Sequence, residues 1–285
     1  MSITTKFHIL EAGKVRRDAG TFFGEVPFST WYDQSVTVTS PSSTNPESLH
    51  LGRDKCIPLA TNVLVVQTES ENILIDTGTP AIHEDQTPEA WGQSKLRKRL
   101  SDIELSVKNI HIVVLTSFDI DHAGGLTHLD RAGRLVYAFP HACVYFHNNS
   151  QQRKRPRSIE VAQDAYDKLM KENHQGFTES TEIVPGIIIH PSWGPSFQGA
   201  VVEVNRGADR LLYLGDLAPT LHHLLPSAIP ASDDNPESTH TERTHWIQTA
   251  ADRGYKVALG HGGRVKSAWI EKGRRGLVVR PILQQ

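Results

Sequence analysis

The sequence predicts a mixed α/β domain built in layers, and three observations lead to this class. Short apolar runs rich in β-branched residues form two groups, one between positions 62 and 146 and the other between 187 and 259. Segments with helical capping or periodicity lie within and after these groups. The chain has 285 residues, which is enough to bury a sizeable core. No long segment recurs along the sequence at a fixed period, which argues against a solenoid.

The first group begins with two apolar runs, 62–68 and 72–76, that lie about one turn apart and predict a buried hairpin. Thr87 and the two residues after it supply an N-cap, a proline and an acidic first turn, which predicts a helix through about Leu100. The remaining elements predicted in this half are three strands and one helix, at 110–116, 135–139, 142–146 and 159–171.

The second group comprises four predicted strands and one helix. The strands are expected at 187–190, 200–205, 210–214 and 257–259, with the helix at Glu237–Arg253. Residues 15–60 are rich in Gly, Pro, Ser and Thr with scattered aromatic residues, which predicts a long irregular arm. We therefore expect a single domain over 1–285, with an N-terminal arm over 1–60.

Charge and composition narrow the classes of partner. The chain has 30 basic and 32 acidic residues, so it has no general attraction for nucleic acid or for a membrane surface, and a small-molecule substrate is expected. Cys56 and Cys143 are predicted to be free thiols in a reducing compartment, and the absence of a long apolar run favours a cytoplasmic protein. A homodimer is left open. The 15 histidines suggest metal or acid–base chemistry.

Polar side chains follow several of the predicted strands. Positions 117, 119 and 121 alternate along an extended segment, so their side chains can lie on the same side of the chain. His122 is followed within three residues by Gly124 and Gly125, which permit close approach of the backbone. A second strand ends in Asp216 and a third in His261. Carboxylates and imidazoles gathered at strand ends are ligands preferred by Zn, Mn or Fe, so these positions predict a metal site.

Several segments carry a family resemblance. They are GTFFGEVP at 20–27, LIDTG at 74–78, TSFDIDHAGG at 116–125, FPHACVY at 139–145, LGD at 214–216 and GH at 260–261. In these segments the sequence resembles the metallo-β-lactamase superfamily, in particular its branch of acyl-homoserine-lactone lactonases and methyl-parathion-hydrolase-like enzymes. The resemblance implies an αββα sandwich of two mixed sheets packed face to face between helices. It also implies an active site along one edge, where two metals and a bridging hydroxide attack an ester, lactone, lactam or phosphoester, with Asp76 as a structural aspartate beside it.

The departures from the family pattern fall on one of its two metal positions. Where the family motif reads His-x-His-x-Asp-His, this sequence has Ser117 and Asp119 in place of both histidines, and Trp193 stands where a third histidine of the first site is expected. The second metal position is matched ligand for ligand by Asp121, His122, Asp216 and His261. The resemblance therefore implies one divalent transition metal, with zinc first and manganese or iron as alternatives. His190 is a candidate replacement ligand, although a hydrogen-bonded histidine is the commoner case.

These observations lead to a functional hypothesis: a metal-dependent hydrolase that opens a lactone or cleaves a related ester by metal-activated water. Asp119 is the candidate general base and Asp121 the carboxylate that acts with it at the metal. The substrate pocket is expected to be bordered by three aromatic residues and one histidine, namely Phe23, Trp31, Trp193 and His223.

Other readings stay open. The loss of the first metal position favours a repurposed family member, either a biosynthetic enzyme that performs a non-hydrolytic step or a ligand-binding pseudoenzyme. The four second-site residues could also simply cap helices and satisfy turns. The basic run at 151–157 could bind phosphate, although such runs are mostly solvated loops. A nucleic-acid-processing role is disfavoured by the near-neutral charge.

Overall fold

The computed structural model describes residues 5–24, 55–80, 94–148, 171–225, 227–274 and 276–283. Fifteen strands lie in these ranges: β1 Lys6–Asp18, β2 Cys56–Gln67, β3 Asn72–Ile75, β4 Ile112–Leu115, β5 Thr127–Leu129, β6 Leu135–Tyr137, β7 Cys143–His147, β8 His174–Phe177, β9 Thr181–Val184, β10 Ile187–Ser192, β11 Gly199–Arg206, β12 Asp209–Tyr213, β13 Lys256–Ala258, β14 Val265–Gly273 and β15 Gly276–Leu283. The α-helices in the same ranges are α1 Ala19–Phe23, α2 Leu96–Ser101, α3 Ile120–Ala123 and α4 Pro236–Arg253.

The strands form two large mixed sheets. The N-terminal sheet has the order β1-β2-β3-β4-β7-β8, and its last four strands are parallel. The C-terminal sheet has the order β15-β14-β13-β12-β11-β10-β9, in which only β12 and β13 run parallel. Strands β5 and β6 form a separate ribbon. Cys56 and Cys143 open two strands of the N-terminal sheet and are free thiols, as expected.

Three apolar clusters show how the layers pack. The central cluster joins the inner faces of both sheets and includes Ile73 and Val114 from one and Val202 and Leu211 from the other. A second cluster lies between the N-terminal sheet and α2, and a third between the C-terminal sheet and α4. These three layers of packing confirm the predicted αββα sandwich. Burial of both faces of each sheet supplies the main favourable free energy of folding, which explains why the layers form. Among the described helices, none is both long and apolar enough to cross a bilayer.

The irregular arm predicted for the N-terminal region is wrong where the structure describes it. Residues 6–18 form β1, which pairs with β2 from Lys6 opposite Gln67 to Asp18 opposite Cys56. A bulge between Glu11 and Gly13 absorbs one residue, so the ladder continues past the glycine. The Gly- and Pro-rich composition hid this long hairpin, although Val15 and its neighbours in β2 are buried. Residues 25–54, including Trp31, lie outside the described residues.

Other differences concern chain segments with mixed polarity. Val257–Leu259 was expected to be the last clear strand, yet β14 and β15 follow it. Both contain charged residues because their hairpin lies at the sheet edge and is partly exposed, which weakens the apolar signal. Strands β8 and β9 were not predicted for the same reason. Of the helix expected from Thr87 through about Leu100, residues 87–93 lie outside the described residues; Ser94 and Lys95 are not helical, and α2 covers Leu96–Ser101. The basic run at 151–157 and nearly all of the helix predicted at 159–171 fall outside the described residues.

Asn62 ties the two sheets together near the strand ends that carry the candidate site. Its side-chain amide donates to the carbonyl oxygens of Leu259 at 2.9 Å and Gly262 at 2.6 Å, and its backbone N–H donates to Gly260 O at 2.7 Å. The residue is 3% exposed, so water cannot replace these hydrogen bonds. The turn that carries His261 is therefore held from the N-terminal sheet.

We expect Asn62→Ala to lower the free energy of unfolding by roughly 2–4 kcal/mol, because two buried carbonyl groups lose their donors. Urea denaturation measures this change. Asn72→Ala is the matched control in the same hairpin. Its side chain donates to Asn109 O in an exposed hydrogen bond and accepts from Gln67 Nε2 in a partly buried one, so water can replace both and the loss should be no more than about 1 kcal/mol. Equal effects of the two variants would contradict this role of Asn62.

Candidate metal centre

The candidate site is organised around Asp76, which follows β3 and is 1% exposed. Its carboxylate accepts hydrogen bonds from Thr116 N at 2.8 Å and Thr116 Oγ1 at 2.7 Å, and the Tyr213 hydroxyl lies 3.0 Å away. His122 Nδ1 is 2.8 Å from the same carboxylate. A carboxylate can only accept, so the proton on Nδ1 of His122 must be donated to Asp76.

A second histidine is oriented in the same way from the other sheet. His261 follows β13, and its Nδ1 lies 2.8 Å from the carbonyl oxygen of Ala60, which fixes the proton on that nitrogen as well. The two imidazole rings are perpendicular, with centroids 5.5 Å apart. With the Nδ1 proton donated outward, the Nε2 atom of each ring faces the interior of the site, the arrangement by which outer hydrogen bonds orient metal-binding histidines.

Two carboxylates complete the cluster. Asp216 Oδ2 lies 3.1 Å from His122 Nε2, and Asp216 Oδ1 lies 3.1 Å from His261 Nε2. Asp121 Oδ2 is 3.6 Å from His261 Nε2. One ligand atom each of Asp121, His122 and His261 lies within 4.8 Å of the others, and all three residues are buried. The four predicted ligands are thus brought together from two sheets, and Asp121 and Asp216 both lie near Nε2 of His261.

These residues fit a divalent cation. With both Nδ1 protons already donated, each Nε2 lone pair faces an anionic oxygen at 3.1 Å, which is repulsive unless a proton or a cation lies between them. Asp121 Oδ1 and His122 Nε2 are also buried without a hydrogen-bond partner. Two imidazole nitrogens and two carboxylates are a ligand set suited to zinc, so one ion would satisfy each of these groups.

A comparison of the amino-acid sequence with a family model identifies the family. The sequence model of the metallo-beta-lactamase superfamily matches residues 56–261. The chain belongs to this superfamily. No curated protein sequence matches it.

Solved structures share the superfamily fold. A probable metal-dependent hydrolase from Staphylococcus aureus is 24% identical, with a TM-score of 0.78 over 100% of this chain and 99% of that one. AidC, a dizinc quorum-quenching lactonase in complex with a product, is 17% identical, with a TM-score of 0.73 over 100% and 98%. An N-acyl homoserine lactone hydrolase with N-hexanoyl-L-homoserine at its catalytic metal centre is 15% identical, with a TM-score of 0.66 over 92% and 94%.

In this superfamily member, the charges at the site perturb each other's protonation. Burial opposes the imidazolium form of His122, but the Asp216 and Asp76 carboxylates outweigh it and raise the pKa of His122 well above its usual range. Burial likewise opposes ionisation of Asp216, yet His122 and His261 hold its pKa well below the usual range. Burial raises the pKa of Asp119, and the charges of Asp121 and Asp216 add to the effect. The site therefore attracts positive charge strongly.

Ser117, Trp193 and His190, considered for the family's first metal position, have hydrogen bonds or ring contacts with other residues of this chain. Ser117 is buried, and its hydroxyl accepts the backbone N–H of Asp119 at 3.1 Å. The ring of Trp193 packs edge-on against His147, with centroids 4.3 Å apart, and its backbone N–H donates to Glu242. His190 is engaged elsewhere, because its two ring nitrogens lie 2.8 Å from Ser180 Oγ and 3.2 Å from Glu203 Oε2.

The predicted substrate-binding residues occupy different environments. Phe23 and His223 are both buried and stack with centroids 5.6 Å apart, whereas Trp193 is 37% exposed. Phe22, which was expected only as part of the same arm, lies edge-on to His261 at 6.5 Å between centroids. Phe22 thus contacts Phe23 and His223 as well as His261. Contact of these residues with a substrate stays a prediction.

Arg17 is a site residue that the sequence did not reveal. Its guanidinium donates to Asp121 Oδ2 at 2.6 Å from a strand 104 residues earlier in the chain. Burial raises the pKa of Asp121, but Arg17 and the two histidines outweigh it, so the net shift is downward. No local motif marks Arg17, because the pair depends on how β1 is placed over α3.

We expect Asp76→Asn to weaken metal binding by about 10–100-fold, because an amide cannot replace the carboxylate that orients His122. It should also lower the free energy of unfolding by roughly 3–5 kcal/mol, since buried donors lose their acceptor. Metal titration and urea denaturation measure the two effects. Tyr213→Phe, which removes a single hydroxyl near Asp76, should cost only about 1 kcal/mol. Unchanged metal affinity in Asp76→Asn would contradict the orienting role.

The buried His223 makes stability depend on pH. Its Nε2 lies 3.0 Å from Phe22 O and its Nδ1 2.8 Å from Thr220 Oγ1, and burial together with the charge of Arg243 lowers its pKa to about 3. The folded state therefore keeps His223 neutral, while the unfolded state takes up a proton below about pH 6.5. The free energy of unfolding should fall by about 1 kcal/mol for this group between pH 7 and pH 5.5.

Urea denaturation of the wild type and of His223→Phe at both pH values measures this contribution. The variant loses hydrogen bonds, so its absolute stability differs, but its dependence on pH should be weaker by about 1 kcal/mol over the same interval. Parallel pH profiles would show that His223 is not the neutral buried group described above.

Proposed function

We propose that this protein is a metal-dependent hydrolase that opens a lactone or cleaves a related ester with one divalent ion, zinc first. The observation that carries the proposal is the pair of imidazole Nε2 atoms that face the Asp216 carboxylate while both Nδ1 protons are donated outward. Asp121, His122, Asp216 and His261 would hold the ion. Such an ion supplies polarisation of a carbonyl and a lowered pKa of bound water.

The chain's own residues divide the remaining tasks. Asp76 and the Ala60 carbonyl hold the two imidazole rings in one tautomer, so their orientation does not have to be found at each turnover. Asp119 stands at the N-terminal end of α3, two residues before Asp121, and its raised pKa brings proton exchange closer to neutral pH. We assign Asp119 the role of general base, which accepts the proton of the attacking water.

The substrate class is proposed from two sources. The solved structures of AidC and of the N-acyl homoserine lactone hydrolase contain an acyl-homoserine product, and both share this fold. In this chain, the buried ring of Phe22 lies edge-on to His261, so the surroundings of the proposed ligands are apolar on that side. Apolar and aromatic surroundings with a few polar groups are typical of small-molecule sites. Acyl lactones are therefore the first substrates to test, followed by aryl esters and organophosphate triesters.

A second candidate function rests on the first metal position. Ser117 and Trp193 offer no ligand of the usual kind there, and Glu242 holds the Trp193 segment through both Ser192 Oγ and the Trp193 backbone N–H. A repurposed member that performs a non-hydrolytic step, or that only binds a ligand, would need no second ion. Full metal loading without turnover on the three substrate classes would favour this candidate over the hydrolase.

Metal stoichiometry tests the proposed site. We expect about one zinc, manganese or iron ion per chain by elemental analysis, because only one ligand set is complete. His261→Ala should lose this ion. His245→Ala, which removes an exposed histidine on α4, is the matched control and should retain it. Full metal content in His261→Ala would remove His261 from the ligand set, and two tightly bound ions would show that the first position has ligands.

The role of Asp119 is tested with Asp119→Asn. If Asp119 is the general base, turnover of acyl lactones should fall by about 10²–10⁴-fold while metal content and folding stay nearly unchanged. Single-turnover kinetics and elemental analysis of the same preparation separate the two properties. A parallel loss of metal and activity would instead make Asp119 a ligand.

A further inference from the structure

Arg17 places a permanent positive charge inside the proposed metal centre. Its guanidinium donates to Asp121 Oδ2 at 2.6 Å, which leaves Asp121 Oδ1 as the oxygen without a hydrogen-bond partner. The Asp121 side chain is 1% exposed, whereas that of Arg17 is 30% exposed. The Arg17 side chain is therefore partly accessible to solvent, whereas the carboxylate that it contacts is not.

The charge balance shows why a cation is needed there. Asp76, Asp119, Asp121 and Asp216 bring four carboxylates into one region, and Ser117 and Trp193 bring no charge. One divalent ion leaves part of this negative charge uncompensated. An arginine stays protonated at every physiological pH, so Arg17 supplies a fixed positive charge that needs no free metal.

We infer that the guanidinium of Arg17 takes the place of a second cation at this centre: it neutralises Asp121 and binds the anionic oxygen of the substrate or product. The inference rests on the proposed metal site and deepens it. Because part of the Arg17 side chain is exposed, the same group that donates to Asp121 can also be reached by a bound molecule. A guanidinium carries five N–H donors in a planar fork, which matches the geometry of a carboxylate.

This role matches the charge that develops in ester or lactone hydrolysis. When the water oxygen bonds to the carbonyl carbon, the electron pair of the C=O bond moves onto the carbonyl oxygen. When the C–O ester bond then breaks, the alkoxide takes up a proton and the acyl part leaves as a carboxylate. A fixed cation beside Asp121 would stabilise the anionic oxygen in the first step and bind the carboxylate product in the second.

Two binding measurements on the full chain test the inference without turnover. Zinc affinity is measured by competition with a chromophoric chelator, and hexanoate affinity by calorimetry of the zinc-loaded protein. We expect Arg17→Gln to bind zinc about tenfold more tightly, because a repelling charge beside the ligands is lost, and to bind hexanoate about tenfold more weakly. Arg17→Lys, which keeps the charge but lacks the planar fork, should stay within about threefold of the wild type in zinc affinity and bind hexanoate with an affinity between those of the wild type and Arg17→Gln.

Arg16→Gln is the matched control, since it removes the same charge from the neighbouring position, which faces the other side of β1. It should leave both affinities unchanged. Unchanged or weaker zinc binding in Arg17→Gln, unchanged hexanoate binding, or equal effects of Arg16→Gln would each overturn the inference. If Arg17→Gln does not fold by circular dichroism, a change of more than about tenfold in the zinc affinity of Arg17→Lys, or hexanoate binding by Arg17→Lys tighter than by the wild type, still overturns it. Failure of the proposed function differs, because the wild type would then bind no zinc, or His261→Ala would retain it.

Discussion

The buried carboxylate of Asp76 is the interaction on which the rest of the site depends. It ends β3, adopts a left-handed backbone with a φ of 60°, and receives donors from the end of β4 and from α3, with the Tyr213 hydroxyl of β12 close by. Aspartate tolerates this conformation better than most residues. A single group thus fixes the turn after β3, the end of the neighbouring strand and the tautomer of His122, so local backbone geometry and ligand orientation are set together.

The two parallel strand pairs explain why the ligands converge. Strands β3 and β4 lead to Asp76 and to the 117–122 segment, while β12 and β13 lead to Asp216 and His261. Carboxyl ends of parallel strands lie at one edge, and the sandwich brings the two edges together. Asn62 crosses between the sheets at the same place, because its amide holds the turn around His261 from β2. Convergence is therefore a property of the strand order and does not require long loops.

The sequence predicted those features that depend on local pattern. Strands β2, β3, β4 and β11 to β13 are buried, so their apolar runs were recognisable, and the carboxylates and imidazoles that follow them could be placed at one site. Strands β1, β14 and β15 carry charged residues at sheet edges and lack this signal. Arg17, Tyr213 and Asn62 contribute through contacts between residues that lie more than a hundred positions apart. Such contacts follow from strand order, which local periodicity does not specify.

The aromatic arm beside the site has an inner and an outer layer. Phe23 and His223 stack within the interior, and Phe22 covers them on the side of His261. His223 Nε2 also lies 3.0 Å from the Phe22 carbonyl oxygen, which anchors α1 to the segment after β12. The short helix α1 therefore serves as a support for the wall of the site as well as a connection out of β1.

The origin of the ligands in two different sheets has a thermodynamic consequence. Asp121 and His122 belong to the N-terminal half, whereas Asp216 and His261 belong to the C-terminal half. An ion bound by all four residues would therefore link the two halves of the fold. Ligand binding to the folded state alone stabilises a protein by about 2.7 kcal/mol at a hundred times the dissociation constant. The melting temperature and cellular lifetime of this protein would then follow the concentration of free metal, and starvation for the ion would deplete the protein itself together with its activity.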